Sequence, residues 1–113
     1  MSKRQPEGLI KDDCRKDAEA DGRLFWQIEG KSRNGVPDTL AERLRGGVIF
    51  IEFKRPGKEP TEQQYIRIAE LRNAGIEAWW CDSFEGYRRL IAGDYKVSYP
   101  PAVLETLEIM GLA

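Results

Sequence analysis

One segment constrains the fold of this chain more than any other, the apolar run from Val48 to Phe53. It reads Val-Ile-Phe-Ile-Glu-Phe and lies between a Gly-Gly pair and a Pro-Gly pair, both of which favour turns. A strand with one solvated face would alternate apolar and polar residues, whereas this run is continuously apolar as far as Glu52. The run, extended to Lys54, therefore predicts a central strand that is covered on both faces.

Turn and cap signals divide the rest of the chain into short elements around this strand. The predicted order is a helix over residues 7–21, strands over 24–28, 36–41, 48–54 and 76–81, and helices over 61–73, 83–91 and 102–110. Residues 40–44 also fit a helical turn. The first three strands should run antiparallel in succession, and the third and fourth should be parallel because a helix connects them. The prediction is an α/β fold, a mixed β-sheet flanked by helices.

The composition excludes most kinds of active site. The 113 residues include no histidine and only two cysteines, Cys14 and Cys81, too few for a disulfide framework or a four-ligand zinc site. We expect both thiols to be reduced and residues 1–113 to form one domain. No apolar run approaches the ~20 residues that span a bilayer, and the first residues lack the apolar segment of a signal peptide. We therefore expect a cytoplasmic protein without membrane contact.

Two charged residues interrupt the end of the apolar strand. Glu52 and Lys54 are two residues apart, so they share one side of the strand at a spacing of about 6.5 Å. A buried charge without a partner costs several kcal/mol, so these groups must be paired or bound to a metal. Taken alone, the two residues are best interpreted as an ion pair.

Asp38 adds a second carboxylate to this picture. It follows Pro37, and thirteen residues separate it from Glu52, which is the length of a tight hairpin. Two carboxylates on adjacent strands repel each other unless a cation lies between them, and such oxygen ligands suit Mg²⁺ or Mn²⁺. A metal there would activate a water, and Lys54 would orient that water or stabilise the developing charge. The pattern is typical of a metal-dependent phosphodiesterase.

Gln64 has two interpretations. With Thr61 it fits a capping box, in which Thr61 is the N-cap and Gln64 the third helical residue. It also shares a helix face with Ile68 and Leu71, so it should point inward, near the end of the strand that carries Lys54. One residue could serve both purposes.

Basic residues collect around these positions even though the formal net charge is −1. The low net charge argues against binding of nucleic acid by bulk electrostatics, but a bound metal would make the site more positive. These residues are either solvated surface charges or contacts to a phosphate backbone: Lys31, Arg33, Arg43, Arg45, Lys54, Arg55 and Lys58.

Taken together, these motifs resemble one family. The chain is similar to the VRR-NUC domain, a branch of the PD-(D/E)xK nuclease superfamily. The similarity rests on Gly35-Val36-Pro37-Asp38, its spacing to Ile51-Glu52-Phe53-Lys54, the following Pro56-Gly57, and Gln64 with Leu71 and Gly75. The resemblance covers about residues 7–92 and leaves 93–113 as a C-terminal extension. It implies a restriction-endonuclease-like core of order αβββαβ followed by helices, a divalent metal, and cleavage of DNA.

The resemblance also implies roles for single residues. Asp38 and Glu52 would be metal ligands, the main-chain carbonyl of Phe53 would complete the coordination, Lys54 would be the catalytic lysine, and Gln64 matches a family glutamine. The contacts to DNA would come from Lys31, Arg33, Arg55 and Lys58.

The resemblance also bears on the first helix and on the strand that follows it. The family places a glutamate on its first helix, for which Glu7 is the best match and Glu19 a competitor. Members often carry a lysine about eleven residues before the aspartate, where this chain has Gln27, and Lys31 is a possible substitute.

The function that these residues and the resemblance imply is a Mg²⁺- or Mn²⁺-dependent, structure-selective DNA endonuclease. Small members of the family act as homodimers on branched DNA such as Holliday junctions, so we expect a homodimer and a branched substrate. The alternatives are a nicking or weakly specific nuclease and a non-catalytic DNA-binding module. The C-terminal extension contains a predicted final helix that packs on the core or on a second subunit. Its apolar residues are Val103, Leu104, Leu107 and Met110.

Overall fold

The computed structural model describes residues 6–29 and 34–113. The elements run in the order α1 (Pro6–Ala20), β1 (Phe25–Gln27), β2 (Thr39–Glu42), β3 (Val48–Phe53), α2 (Glu62–Asn73), β4 (Ala78–Cys81), α3 (Phe84–Ala92) and α4 (Pro101–Ile109). The predicted α/β fold with a mixed sheet is confirmed. Several strands are shorter than predicted, although main-chain hydrogen bonds continue beyond their ends, as from the Glu42 amide to the Leu24 carbonyl and from the Lys54 amide to the Cys81 carbonyl.

The four strands form one sheet in the order β1-β2-β3-β4. Strands β1, β2 and β3 pair antiparallel, and β3 pairs parallel with β4, as the helical connection predicts. Ile49 and Ile51 on β3 are fully buried. The second strand begins at Thr39 rather than at Val36, and the alternative of a helical turn from residue 40 is wrong, since Leu40, Ala41 and Glu42 pair with β3.

Helices cover both faces of β3, as its continuous apolar sequence predicts. On one face, Phe53 contacts the rings of Phe25 and Tyr87, the latter on α3. On the other face, Gln64 of α2 contacts Glu52. The site predicted from the sequence therefore lies at the end of β3, between helices that approach from opposite sides of the sheet.

The C-terminal extension packs on the core through α4. Val103 and Leu107 are buried, whereas Leu104 and Met110 are 38% and 48% exposed. The Thr106 hydroxyl donates a hydrogen bond to Glu62 at the start of α2. Helix α4 is therefore amphipathic, with Val103 and Leu107 on its inward face. Within the described ranges, no helix is both long enough and apolar enough to cross a bilayer.

Candidate active site

The register of the sheet brings the two predicted acidic residues opposite each other, Asp38 just before β2 and Glu52 near the end of β3. Thr39 pairs with Ile51 in an antiparallel register, and continuing that register by one residue sets Asp38 opposite Glu52. The main-chain amide of Ile28 donates to the Asp38 carbonyl at 2.6 Å, so the pairing with β1 also extends to this residue. Directly opposed residues of antiparallel strands have Cβ atoms about 4.5–5.5 Å apart. The sheet thus places two carboxylate-bearing residues side by side.

Gln64 forms the predicted capping box and points inward to Glu52. Its main-chain amide donates to the Thr61 hydroxyl at 3.2 Å, and its side-chain oxygen accepts from the Thr61 amide at 2.9 Å. Its Nε2 donates to Glu52 Oε2 at 3.2 Å. The capping box fixes the amide at the start of α2, and the amide in turn holds a carboxylate that is only 9% exposed.

Lys11 of α1 joins the site, and the sequence prediction missed it. Its Nζ lies 3.5 Å from Asp38 Oδ2 and 5.9 Å from the centroid of the Phe53 ring. Lys11 stands three and seven residues before Cys14 and Ala18, which are fully buried, so it lies on the inward face of α1. The spacing of Lys11 from Cys14 and Ala18 could have identified it in the sequence, because a lysine on a buried helix face requires a partner.

Gln27, at the position for which the family resemblance predicts a lysine, is exposed and pairs with Thr39 through the main chain. The proposed substitute, Lys31, and the proposed DNA contact Arg33 lie outside the described residues. Among the described residues, it is α1 that brings an ammonium group to Asp38.

The two candidates for the first-helix glutamate occupy different places. Glu7 is partly buried and stands four residues before Lys11, so both lie on the same stripe of α1. Glu19 stands eight residues beyond Lys11, about 12 Å along the helix axis, and its 64% exposed carboxylate pairs with Arg15. The placement favours Glu7 as the acid nearer to the site.

Three of the other predicted residues lie at or just beyond the end of β3. Lys54 directly follows β3, is partly buried, and donates its main-chain amide to the Cys81 carbonyl. Arg55 and Lys58 lie in the exposed loop that follows. Arg43 differs from them, because its guanidinium packs close to Gly93 at the end of α3, away from this loop.

The donor set fits a hard divalent cation. Across residues 6–29 and 34–113, no three acidic, cysteine or histidine side chains gather closely enough to hold a metal by themselves. Asp38 and Glu52 would therefore hold the ion as a pair, with main-chain oxygen and water as the other ligands. Mg²⁺ accepts such an arrangement, since it commonly keeps several waters beside one or two carboxylates.

The cysteines do not provide an alternative nucleophile. Cys14 and Cys81 are both free and buried. Burial raises the pKa of the Cys81 thiol to about 12, and burial also raises that of Cys14. A reactive cysteine needs an accessible thiolate, so both residues serve as small core side chains.

Comparison with known proteins places this geometry among nucleases. The chain is 36% identical over 62 residues to "Putative nuclease p44" of Acyrthosiphon pisum secondary endosymbiont phage 1, which covers 55% of this chain and 67% of that protein. It is also similar to a solved structure described as "VRR_NUC domain", with a TM-score of 0.69 and 27% identity over 81% of this chain and 100% of that one. No protein-family model matches the chain.

Proposed function

This chain belongs to the VRR-NUC family of nuclease domains, and we propose that it hydrolyses DNA phosphodiester bonds with Mg²⁺ or Mn²⁺ held by Asp38 and Glu52. The observation that carries the proposal is the register of β2 and β3, which, continued one residue beyond Thr39 and Ile51, sets Asp38 opposite Glu52, whose carboxylate Gln64 contacts. Opposed carboxylates are costly in a folded protein unless positive charge compensates them, and a divalent cation between them does so.

Each residue of the site has a distinct task in this proposal. Asp38 and Glu52, together with the Phe53 carbonyl, would hold the cation, and Glu7 of α1 would be a further ligand. The cation, when bound, polarises the scissile phosphoryl group and lowers the pKa of the attacking water. Gln64 keeps the Glu52 carboxylate in one orientation. Lys54 orients the water or stabilises charge on the phosphate in the transition state.

We also propose that the substrate is branched DNA. Lys31, Arg33, Arg55 and Lys58 would contact the phosphate backbone, where each positive charge adds salt-dependent affinity without reading sequence. A site of this kind selects DNA by shape, which favours branched molecules such as Holliday junctions or flaps. A homodimer would present two such sites to two strands, and it is the assembly that we propose for this substrate.

Cleavage assays test the proposal directly. The protein is incubated with Mn²⁺ and labelled junction, flap, duplex and single-stranded DNA, and its mass in solution is measured in parallel. We expect cleavage of the branched substrates, and we expect Lys54→Ala to reduce the rate at least 100-fold, because a charge-stabilising group contributes about 10²–10³. The matched control is Lys96→Ala, which changes an exposed lysine outside the site and should leave the rate within twofold.

The outcomes separate the alternatives. Equal cutting of all DNA forms, or cutting of one strand only, would favour a weakly specific or nicking nuclease. A protein that binds DNA but cleaves none of the substrates would be a non-catalytic module. A Lys54→Ala variant as active as the Lys96→Ala control would remove Lys54 from the mechanism.

A further inference from the structure

The Lys11 ammonium occupies a position that the proposed reaction leaves unexplained. It lies 3.5 Å from Asp38 Oδ2, and its side chain is only 16% exposed, although lysine is among the residues that are most rarely buried. The ring of Phe53 flanks it at 5.9 Å, within the range of a cation–π contact. Helix α1 therefore delivers a fixed positive charge to the residues that would hold the metal.

Lys11 compensates the repulsion between two carboxylates at the strand ends. The register of β2 and β3, continued one residue beyond Thr39 and Ile51, sets Asp38 opposite Glu52, and like charges so placed destabilise the folded state. Gln64 contributes an amide dipole to Glu52, whereas Lys11 contributes a full charge to Asp38. The Asp38 side chain is 27% exposed, so water screens this pair less than it screens a surface ion pair.

We infer that Lys11 is the resident counter-ion of Asp38: it stabilises the opposed carboxylates in the metal-free protein, and it opposes the binding of a divalent cation to them. The Lys11 ammonium and the divalent cation compete for the Asp38 carboxylate, and positive charges this close repel each other. Lys11 is thus a positioning residue that tunes metal affinity. The metal-binding half of this inference rests on the proposed function, whereas the counter-ion half stands on the contact in the protein alone.

Two lysines on α1 provide a matched test. Lys11→Gln removes the charge and keeps much of the side chain, and Lys16→Gln makes the same change at a lysine that is 69% exposed and pairs with Asp12. The melting temperature is measured in chelator, and Mn²⁺ affinity is measured by calorimetry without DNA. Each variant is also made in an Asp38→Asn background.

We expect Lys11→Gln to lower the melting temperature in chelator by about 2–5 °C and to have an effect of about 1 °C or less when Asp38→Asn is present. We also expect it to tighten Mn²⁺ binding by about 3–10-fold. Lys16→Gln should change neither quantity. An equal loss of stability in both backgrounds, or Mn²⁺ binding that is unchanged or weaker in Lys11→Gln, would overturn the inference.

The two proposals fail in distinguishable ways. If neither the unaltered protein nor Lys11→Gln binds Mn²⁺, the metal-dependent function fails, and the double-mutant cycle in chelator still decides whether Lys11 compensates Asp38. If Mn²⁺ binds to both proteins equally, the function stands and the inference falls.

Discussion

Gln64 shows how one side chain links local structure to the site. A glutamine at the third position of a helix is a common end to a capping box, and this one uses its oxygen for that purpose. Its nitrogen remains available and donates to Glu52. The residue is therefore held from two directions, which restricts the rotamers of both Gln64 and the carboxylate.

The two roles of Gln64 can be separated by comparing two variants. Thr61→Ala removes the N-cap hydroxyl and should lower the free energy of unfolding by about 1 kcal/mol with little change in cleavage rate. Gln64→Ala removes the cap partner and the contact to Glu52, so it should cost a similar amount of stability and also reduce the cleavage rate about tenfold or more. Urea denaturation and the junction assay measure the two effects. Equal activity of the two variants would mean that the contact to Glu52 has no part in function.

At the scale of elements, the segment that leads into β2 is fixed by α2. The Arg67 guanidinium donates to the Asn34 carbonyl at 3.0 Å. Gly35 has a φ of +85°, and a Cβ at this position would lie 2.9 Å from the main-chain oxygen of Gln63. The glycine therefore permits both the backbone turn and the close approach to the helix, three residues before Asp38.

We expect Gly35→Ala to lower the free energy of unfolding by about 2–4 kcal/mol, because it combines an unfavourable φ with a backbone clash. The control is Gly57→Ala, at a φ of +81° with nothing within 4 Å of the new Cβ, which should cost only about 1–2 kcal/mol. Urea denaturation compares them. If both variants lose the same stability, the approach of Gly35 to α2 does not constrain the segment that carries Asp38.

At the scale of the whole molecule, a charged network joins α1 to α3. Asp17 on α1 accepts hydrogen bonds from Arg23 at 2.7 Å and from Arg88 of α3 at 2.8 Å. Arg23 also donates to the hydroxyl of Tyr87, which is fully buried. The network fixes the position of α1 relative to the sheet, and α1 carries both Lys11 and Glu7 to the site.

This network should make stability depend on pH. Burial acts to raise the pKa of Asp17, but the hydrogen bonds and charges of Arg23 and Arg88 outweigh burial and lower it. Because the folded-state pKa lies below that of the unfolded chain, the stabilisation is present above the unfolded value of about 4 and is lost as the pH falls through the folded value.

The variant Asp17→Asn should therefore be less stable than the unaltered protein by about 1–3 kcal/mol at pH 7, and this difference should shrink as the pH falls below about 4. Urea denaturation across that range measures it. If the difference in the free energy of unfolding stays constant with pH, the charge of Asp17 contributes nothing to the packing of α1 against α3.

The sequence by itself determined the order of the elements and where along them Asp38, Glu52 and Gln64 lie. The apolar run at β3 required cover on both faces, and turn residues on either side fixed its length. The spacing from Asp38 to Glu52 and the capping signal at Thr61 are local patterns, so the paired acids and the position of Gln64 could be predicted from them. The strand and helix ends were predicted to within a few residues, and the start of β2 was the least accurate.

Only the tertiary structure decided which residues of α1 reach the site. Lys11 and Asp38 are 27 residues apart, and no local pattern sets the rotation and height of α1 against the sheet. That position depends on packing around Cys14 and Ala18 and on the network at Asp17, which involves residues from both halves of the chain. Long-range packing therefore placed the one ammonium group that the described structure brings to Asp38, because side chains from separate elements meet only after the core has formed.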